Sequence, residues 1–283
     1  MNAKVSLVTP VYNAMPYLED YLRCVAAQTW RPLQLILSDD GSEDGSRDCM
    51  EQMKPVLEEA GVEVILLYCP HGGQAAATNE ALGYISGEYF TWCDADDLMT
   101  CDSIEKKVLW LEANPDVAMV RSNGTVRDMA SGKDLYDSSK PSDRATKNIF
   151  EELFCDKTYC FAGCYMIKTS LFFEGYPQKQ MPLSPEGQNL QLLLPSASRS
   201  LCGYLDEKLH IYCRREGTHS NQKRSYSQTL ARIENFRKLR LAVLEHCRCD
   251  KPYFEELARK TAEKAKTNLV LSAVQHLRKE REK

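Results

Sequence analysis

Short apolar segments alternate with helical patterns along the first hundred residues. The apolar segments predict strands at residues 5–9, 33–37, 62–68 and 88–93. Between them, helices are predicted from a cap at Asn13 to about 28, from a cap at Ser46 to about 60, and at 74–85. Strands and helices that alternate in this way predict an α/β fold with a doubly wound, mostly parallel sheet.

The pattern is weaker after residue 120. The predicted elements there are a loop at 131–147, short helices at 149–154 and 187–194, and extended segments at 159–168 and 205–214. Pro195 is expected to end the second of these helices. From about 225 onward the chain is helical and highly charged, with a break near 249–252. We therefore expect one larger domain at 1–220 and a C-terminal helical region at 221–283.

The bulk composition excludes several classes of protein. The 283 residues carry a net charge of -4 at pH 7, so no basic surface for nucleic acid is expected. No apolar run approaches the roughly 20 residues that a membrane-spanning helix needs. The first residues lack the apolar core of a signal peptide, which predicts a cytoplasmic location.

The twelve cysteines are scattered, and none forms a CxxC pair. Two groups, 155–164 and 247–249, leave a zinc site open as one interpretation. The favoured interpretation is that the thiols are reduced and act as small core side chains in a reducing compartment.

Polar residues follow each of the first four predicted strands. In parallel sheets ligands bind beyond the carboxyl ends of the strands, so these side chains are expected to meet at one edge. They are Thr9, Tyr12 and Asn13, then Asp39 and Asp40, then His71 and Gln74, and finally Asp94, Asp96 and Asp97. Neither GxGxxG nor GxxxxGK[ST] is present, so a dinucleotide fold of the usual kind and a P-loop are excluded.

The run Asp94-Ala95-Asp96-Asp97 follows a strand that reads as buried. Carboxylates spaced i, i+2 at a turn supply the hard oxygen ligands that Mg²⁺ and Mn²⁺ prefer. Such a cation would neutralise a diphosphate and make it a better leaving group. Taken alone, the run is more typical of a solvated turn. Its coincidence with polar residues at the other strand ends favours the cation site.

Four segments resemble the inverting glycosyltransferases of family 2, which have the GT-A fold. They are residues 5–13, 38–46, 72–79, and 87–90 together with 94–97, in the same order and spacing. The resemblance is strong over 4–115, fair to about 220 and absent beyond. It implies a nucleotide-sugar donor, usually a UDP-sugar, and Mn²⁺ or Mg²⁺ as cofactor.

The resemblance also implies roles for individual residues. Pro10 and Tyr12 would line the nucleobase pocket, and Asp40, supported by Asp39, would hydrogen-bond the base. Asp94 would face the ribose or the sugar, and Asp96 would bind the metal. Asp97 would act near the donor sugar or the metal shell, as one of two catalytic candidates. The donor set is completed by Asn13, Gln74, Asn79 and Ala95.

Two positions depart from the family pattern. Thr78 stands where the family often has Arg, and no Glu-Asp pair occurs in the second half, where the family often has its catalytic base. Glu186, in the only nearby acidic position, is our candidate base; a first-turn carboxylate that complements the helix dipole is the alternative. Gln188 and Asn189 are candidate acceptor ligands. His219 matches a region that often closes over the diphosphate, with a plain surface histidine as the alternative.

The sequence thus predicts an inverting hexosyltransferase that acts on a saccharide or lipid-linked acceptor in polysaccharide or glycolipid assembly. The alternatives are a nucleotide-sugar-binding regulatory protein without activity and, less well supported, a nucleotidyltransferase. The basic amphipathic pattern near residues 232–241 would suit peripheral contact with the inner face of a membrane. The favoured interpretation of that pattern is a helix packed on the catalytic domain. Nothing in the sequence indicates an oligomeric state.

Overall fold

The computed structural model describes residues 2–215 and 222–281. Its first half alternates strands and helices, as the sequence predicts. The elements are β1 Val5–Val11, α1 Leu18–Ala26, β2 Leu33–Asp39, α2 Ser46–Glu59, β3 Val62–Tyr68, α3 Gln74–Leu82 and β4 Tyr89–Trp92.

The second half is less regular. It contains β5 Leu98–Met99, α4 Ser103–Ala113, β6 Met119–Asp128, β7 Lys133–Asp137, a 3₁₀ turn at Pro141–Arg144, α5 Phe150–Phe154, β8 Tyr165–Lys168, α6 Thr169–Gly175, α7 Gln188–Ala197 and β9 Cys202–Arg214. Two long helices follow, α8 Tyr226–Leu244 and α9 Lys251–Arg281.

One sheet runs through the molecule in the order β3-β2-β1-β4-β8-β6-β9-β5, with β7 paired to β6. The first four strands are parallel and in register. From β8 onward antiparallel pairs predominate. The α/β fold class is therefore confirmed. The first half is parallel throughout, while the second half is mixed, because β6 and β9 also pair in parallel. Because β1 to β4 are parallel, their polar carboxyl ends lie at one edge.

The parallel strands β1, β2 and β4 are buried on both faces, which explains their continuous apolar runs. Val8 and Ile36 belong to one hydrophobic core, which also contains Trp92. Leu7 and Leu35, one residue earlier in each strand, belong to a second core on the other face. Consecutive residues of a strand therefore anchor opposite helical layers.

Several predicted element boundaries are wrong. Asn13 does not cap α1, which begins five residues later; its backbone is left-handed (φ 46°) and its Oδ1 accepts a hydrogen bond from Glu43 N. Ser46 is the first residue of α2 rather than its cap, because Gly45 precedes the helix. Pro195 lies inside α7 and does not end it. The region 131–147 is not a loop, since it contains β7 and the 3₁₀ turn.

The C-terminal helices pack against the rest of the chain. Leu239 and Val243 of α8, and Phe254 and Ala258 of α9, belong to the same core as Trp92. The break predicted near 249–252 lies between the two helices. The packed interpretation of α8 therefore holds for its inner face. No helix in the described part of the chain is long and apolar enough to span a membrane, and the twelve cysteines are all free thiols.

Candidate active site

The first part of the candidate site is a flat aromatic surface at the ends of β1 and β3. The rings of Tyr12 and His71 stack with centroids 4.4 Å apart, and the Tyr12 residue is 50% exposed. His71 Nδ1 lies 2.9 Å from Asp40 Oδ2, so the carboxylate holds the histidine against the tyrosine. An exposed ring pair of this kind can stack with a planar heterocycle.

Two buried aspartates form the floor beneath this surface. Asp40 accepts hydrogen bonds from Gly72 N (2.8 Å) and Gly73 N, and Asp39 accepts one from Arg47 Nε (2.6 Å). Both carboxylates thus shape the loops around the site. The hydrogen bond predicted between Asp40 and a base would compete with these loop contacts. Pro10 is buried within β1 and does not face an open pocket.

The acidic turn after β4 is the electrostatic centre of the site. Asp94 accepts a hydrogen bond from Gln74 Nε2 (3.0 Å). Burial, followed by repulsion from Asp97 and Asp96, raises the pKa of Asp94 to about 8. Burial and the same repulsion from Asp97 raise the pKa of Asp96 to about 6. The carboxylates therefore crowd one another with too little positive charge to compensate.

Arg215 lies beside this turn and was not identified from the sequence. Its Nη1 donates to the Asp96 carbonyl (2.7 Å) and is 3.3 Å from Asp96 Oδ2. Its guanidinium carbon is 3.7 Å from the centroid of the Tyr17 ring. The sequence signal that could have identified it is the pair Arg214-Arg215 at the end of the extended segment 205–214. In the fold this pair lies next to the acidic turn.

Asp97 does not lie on the open face of the site. It is 2% exposed, and its Oδ1 accepts a hydrogen bond from Cys213 N (2.8 Å) in β9. Its Oδ2 is 3.2 Å from Nε2 of the buried His210. Burial lowers the pKa of an imidazole, but contacts with Cys164 and Asp97 outweigh it and raise the pKa of His210 well above its usual value. The catalytic role predicted for Asp97 becomes a positioning role: it fixes the acidic turn to β9.

The site fits a divalent cation. Across residues 2–215 and 222–281, no three His, Cys, Asp or Glu side chains are grouped as a metal site. Mg²⁺, however, is usually held by one or two carboxylates, with waters and substrate phosphates as its other ligands. Asp94 and Asp96, the latter with its side chain 38% exposed, provide that donor set, and a cation would offset the repulsion between their carboxylates. Ala95 is buried between them.

The two candidate acceptor ligands are engaged within the protein. Gln188 is buried, and its Nε2 donates to Thr78 Oγ1. Asn189 Oδ1 accepts a hydrogen bond from Trp92 Nε1 (2.8 Å). These bonds seat the start of α7 on α3 and β4. Gln188 Nε2 and Asn189 Oδ1 are therefore engaged within the protein, and the acceptor role of the two residues stays a prediction.

The remaining predicted residues are placed as follows. The Asn79 amide bridges the backbone of Met181 through two hydrogen bonds (2.8 and 3.0 Å), so it anchors the loop before α7 rather than facing the cleft. Glu186 Oε2 is 3.0 Å from Arg232 Nε, and the Glu186 side chain is 9% exposed. His219 lies outside the described residues.

Solved structures with a similar fold are glycosyltransferases. TarS of S. aureus in complex with UDP-GlcNAc matches with a TM-score of 0.65 at 15% identity, over 91% of this chain and 71% of that one. The mannosyltransferase PcManGT of Pyrobaculum calidifontis, solved with GDP-Man and Mn²⁺, matches with a TM-score of 0.59 at 18% identity, over 94% and 74%. The fold is thus that of the GT-A transferases.

Sequence comparison identifies the family to which the chain belongs. The profile of glycosyl transferase family 2 matches residues 6–173, and the chain belongs to that family. The teichuronic acid biosynthesis glycosyltransferase TuaG of Bacillus subtilis, itself named putative, is 36% identical over 104 residues, 37% of this chain and 40% of that protein. An uncharacterized glycosyltransferase of Haemophilus influenzae is 32% identical over 144 residues, 50% of this chain and 56% of that protein. The chain thus matches about half the length of these relatives, or less.

Proposed function

We propose that this chain transfers a sugar from a UDP-sugar to an acceptor hydroxyl with inversion, in polysaccharide or glycolipid assembly. The observation that carries the proposal is the acidic turn with Asp94 and Asp96 beside the stacked Tyr12 and His71, at one edge of the sheet. The stack suits a nucleobase, and the turn suits the cation that accompanies a diphosphate.

The roles of the chain's own residues follow from this arrangement. Tyr12 would stack with the base, and Asp96 would hold Mn²⁺ or Mg²⁺. That cation would supply charge that stabilises the departing diphosphate. Asp97 would keep the turn rigid through His210 and β9, which spares the site reorganisation during transfer.

Glu186 remains our candidate for the base. The acceptor oxygen would form a bond to the anomeric carbon as the bond from that carbon to the diphosphate oxygen breaks, and the hydroxyl proton would pass to the Glu186 carboxylate. Attack from the side opposite the leaving group inverts the anomeric centre. Arg232, 3.0 Å from Glu186, would hold the carboxylate in one orientation.

Neighbouring structures support the choice of donor. TarS was solved with UDP and with UDP-GlcNAc, and glucosyl-3-phosphoglycerate synthase of Mycobacterium tuberculosis with Mn²⁺, UDP and glucosyl-3-phosphoglycerate. GDP-Man in PcManGT makes GDP the competing nucleotide. For the location we propose the cytoplasm. The outer faces of α8 and α9 are the surfaces we propose for any peripheral contact with the membrane.

Thermal unfolding with UDP, GDP, CDP or TDP, each with and without Mn²⁺, tests the donor site. A nucleotide at 100 times its dissociation constant stabilises the fold by about 2.7 kcal/mol, which is a shift of roughly 5–10 °C here. We expect the shift with UDP, dependent on Mn²⁺ and absent in Asp96→Asn. Asp116→Asn, an exposed acid in a turn, is the control and should keep it. No shift with any nucleotide would refute the assignment.

A second candidate is a regulatory protein that binds a nucleotide sugar without transferring it. The observation that favours it is the pairing of Glu186 with Arg232, because a carboxylate oxygen engaged by a guanidinium must leave that contact to accept the hydroxyl proton. Slow release of UDP from a bound UDP-sugar, lost in Glu186→Gln while UDP still binds, would decide for the transferase. Binding without any release would decide for the regulator.

A further inference from the structure

A polar cavity of about 250 Å³ lies between the loop before α7 and the first turns of α8. Its lining from α8 is one helix face, since the residues follow the spacing i, i+3, i+4, i+7. The described residues that line it are Glu186, Gln222, Arg224, Gln228, Ala231, Arg232 and Asn235. Gln188 Nε2 and Asn189 Oδ1 are bonded within the protein, so the lining of this cavity would supply further groups that recognise an acceptor.

The cavity is fixed to the donor side of the molecule by a short chain of contacts. Glu186 is two residues before Gln188, which is bonded to Thr78 of α3. Asn189 is bonded to Trp92, which lies two residues before Asp94 in the acidic turn. A group held at Glu186 is therefore tied to the same framework that carries the donor residues.

Gly187 explains how α8 comes to form the other wall. Its backbone is left-handed (φ +72°), and a Cβ there would lie 2.4 Å from Leu239 Cδ2 and 2.8 Å from Phe236 Cε1. No side chain, and so no second acid, fits at position 187 while α8 is packed there. The close approach of α8 instead brings Arg232 onto Glu186.

We infer that this cavity between Glu186 and α8 is the acceptor site, and that it takes a polyhydroxylated acceptor, a saccharide. The inference rests on the proposed function. The described lining contains three amides, two guanidinium groups and a carboxylate, with Ala231 as its only apolar side chain. Amides and carboxylates pair with hydroxyls, which both donate and accept. A lipid chain would need an apolar lining instead.

The test is ligand-observed NMR with the full chain and the methyl glycosides of glucose, galactose, N-acetylglucosamine and glucuronic acid. Spectra are recorded with and without UDP and Mn²⁺. We expect saturation transfer to at least one glycoside, reduced at least fivefold in Ala231→Trp, which fills the cavity. Leu230→Trp places the same indole at an exposed position outside the lining and should leave the signal unchanged.

A second variant guards against a general effect of bulk. Asn235→Ala removes an amide of the lining without filling space, and should also lower the signal at least fivefold. Gln228 is left in place because its Oε1 accepts a hydrogen bond from Ser225 N (2.8 Å) at the start of α8. An unchanged signal in Ala231→Trp, or no signal with any glycoside, would overturn the inference. The UDP-induced thermal shift, measured on the same samples, is expected in all variants. If the UDP-induced shift were absent, the proposed donor site would be refuted. The glycoside spectra recorded without nucleotide would then still test the acceptor site independently.

Discussion

The parallel half of the sheet, β1 to β4, and the mostly antiparallel half, from β8 to β5, use polar side chains differently. At the ends of β1 to β4, Tyr12 and Asp96 are partly exposed and offer their groups to a ligand. In the half from β8 to β5, the buried Arg121 pairs with Asp143 at 3.5 Å within the protein, while the charged residues of β7 are exposed to solvent. Parallel strands place their carboxyl ends together, so one edge can collect ligand-binding groups, whereas antiparallel strands scatter theirs. The second half therefore contributes rigidity.

Besides the pairing of β4 with β8, Asp97 joins the two halves through its contacts with β9, and its loss should have the largest effect. Asp97→Ala would leave His210 buried without its carboxylate and Cys213 N without its acceptor. Removing one partner of a buried pair costs about 3–5 kcal/mol. We expect that loss in the free energy of unfolding, measured by denaturant titration.

The exposed Asp116 provides the control for this prediction. Asp116→Ala should change stability by no more than about 0.5 kcal/mol. If Asp97→Ala cost as little as the control, the two halves would be held together without this contact, and the contrast drawn between them would fail.

Lys107 gives the second prediction, which concerns pH. Its buried Nζ donates to Gly163 O (2.6 Å) and Ser103 Oγ (2.8 Å), and burial lowers its pKa to about 8. The unfolded chain holds this proton up to about pH 10.4. Between these values the unfolded state binds more protons, so stability rises with pH, by at most roughly 3 kcal/mol for this group.

Comparison with Lys107→Met isolates this contribution. Thiols and phenols whose pKa is raised by burial, such as Cys202 at about 12, act in the opposite sense in the alkaline range. They are common to both proteins. The stability of wild type relative to Lys107→Met should therefore increase between pH 8 and 10, by denaturant titration at each pH. Parallel pH profiles would mean that Lys107 has the same pKa in the folded and the unfolded state.

The sequence predicts the first half of the chain well and the second half poorly, for physical reasons. Strands such as 33–37 are buried on both faces, so their apolar runs and the turn residues after them are local signals. The role of Asp97 depends on His210, 113 positions later, and the engagement of Gln188 depends on Thr78. Such pairings are set by topology, and no pattern within one element contains them.

The smallest predicted effect concerns the contact between Gln188 and Thr78, one of the two positions that depart from the family pattern. The Gln188 amide donates to Thr78 Oγ1, while Gln188 Oε1 has no partner among the described residues. Thr78→Val alone would leave the buried Gln188 amide without its acceptor and cost about 1–3 kcal/mol. Gln188→Leu alone should cost less, because Thr78 Oγ1 still donates a hydrogen bond to Gln74 O (2.8 Å). The double variant removes both partners and should be nearly neutral relative to wild type, because no polar group is then left unpaired.

A double-mutant cycle in denaturant measures this coupling directly. The same four proteins separate the structural role of Gln188 from the acceptor role predicted by the sequence. If Gln188 only seats α7 on α3, the double variant keeps the glycoside signal of wild type while the single variants are less stable. If Gln188 binds the acceptor, every variant that lacks its amide loses the signal, whatever its stability. Recovery of stability without recovery of the signal would therefore return Gln188 to the acceptor site and show that its bond to Thr78 opens when the acceptor binds.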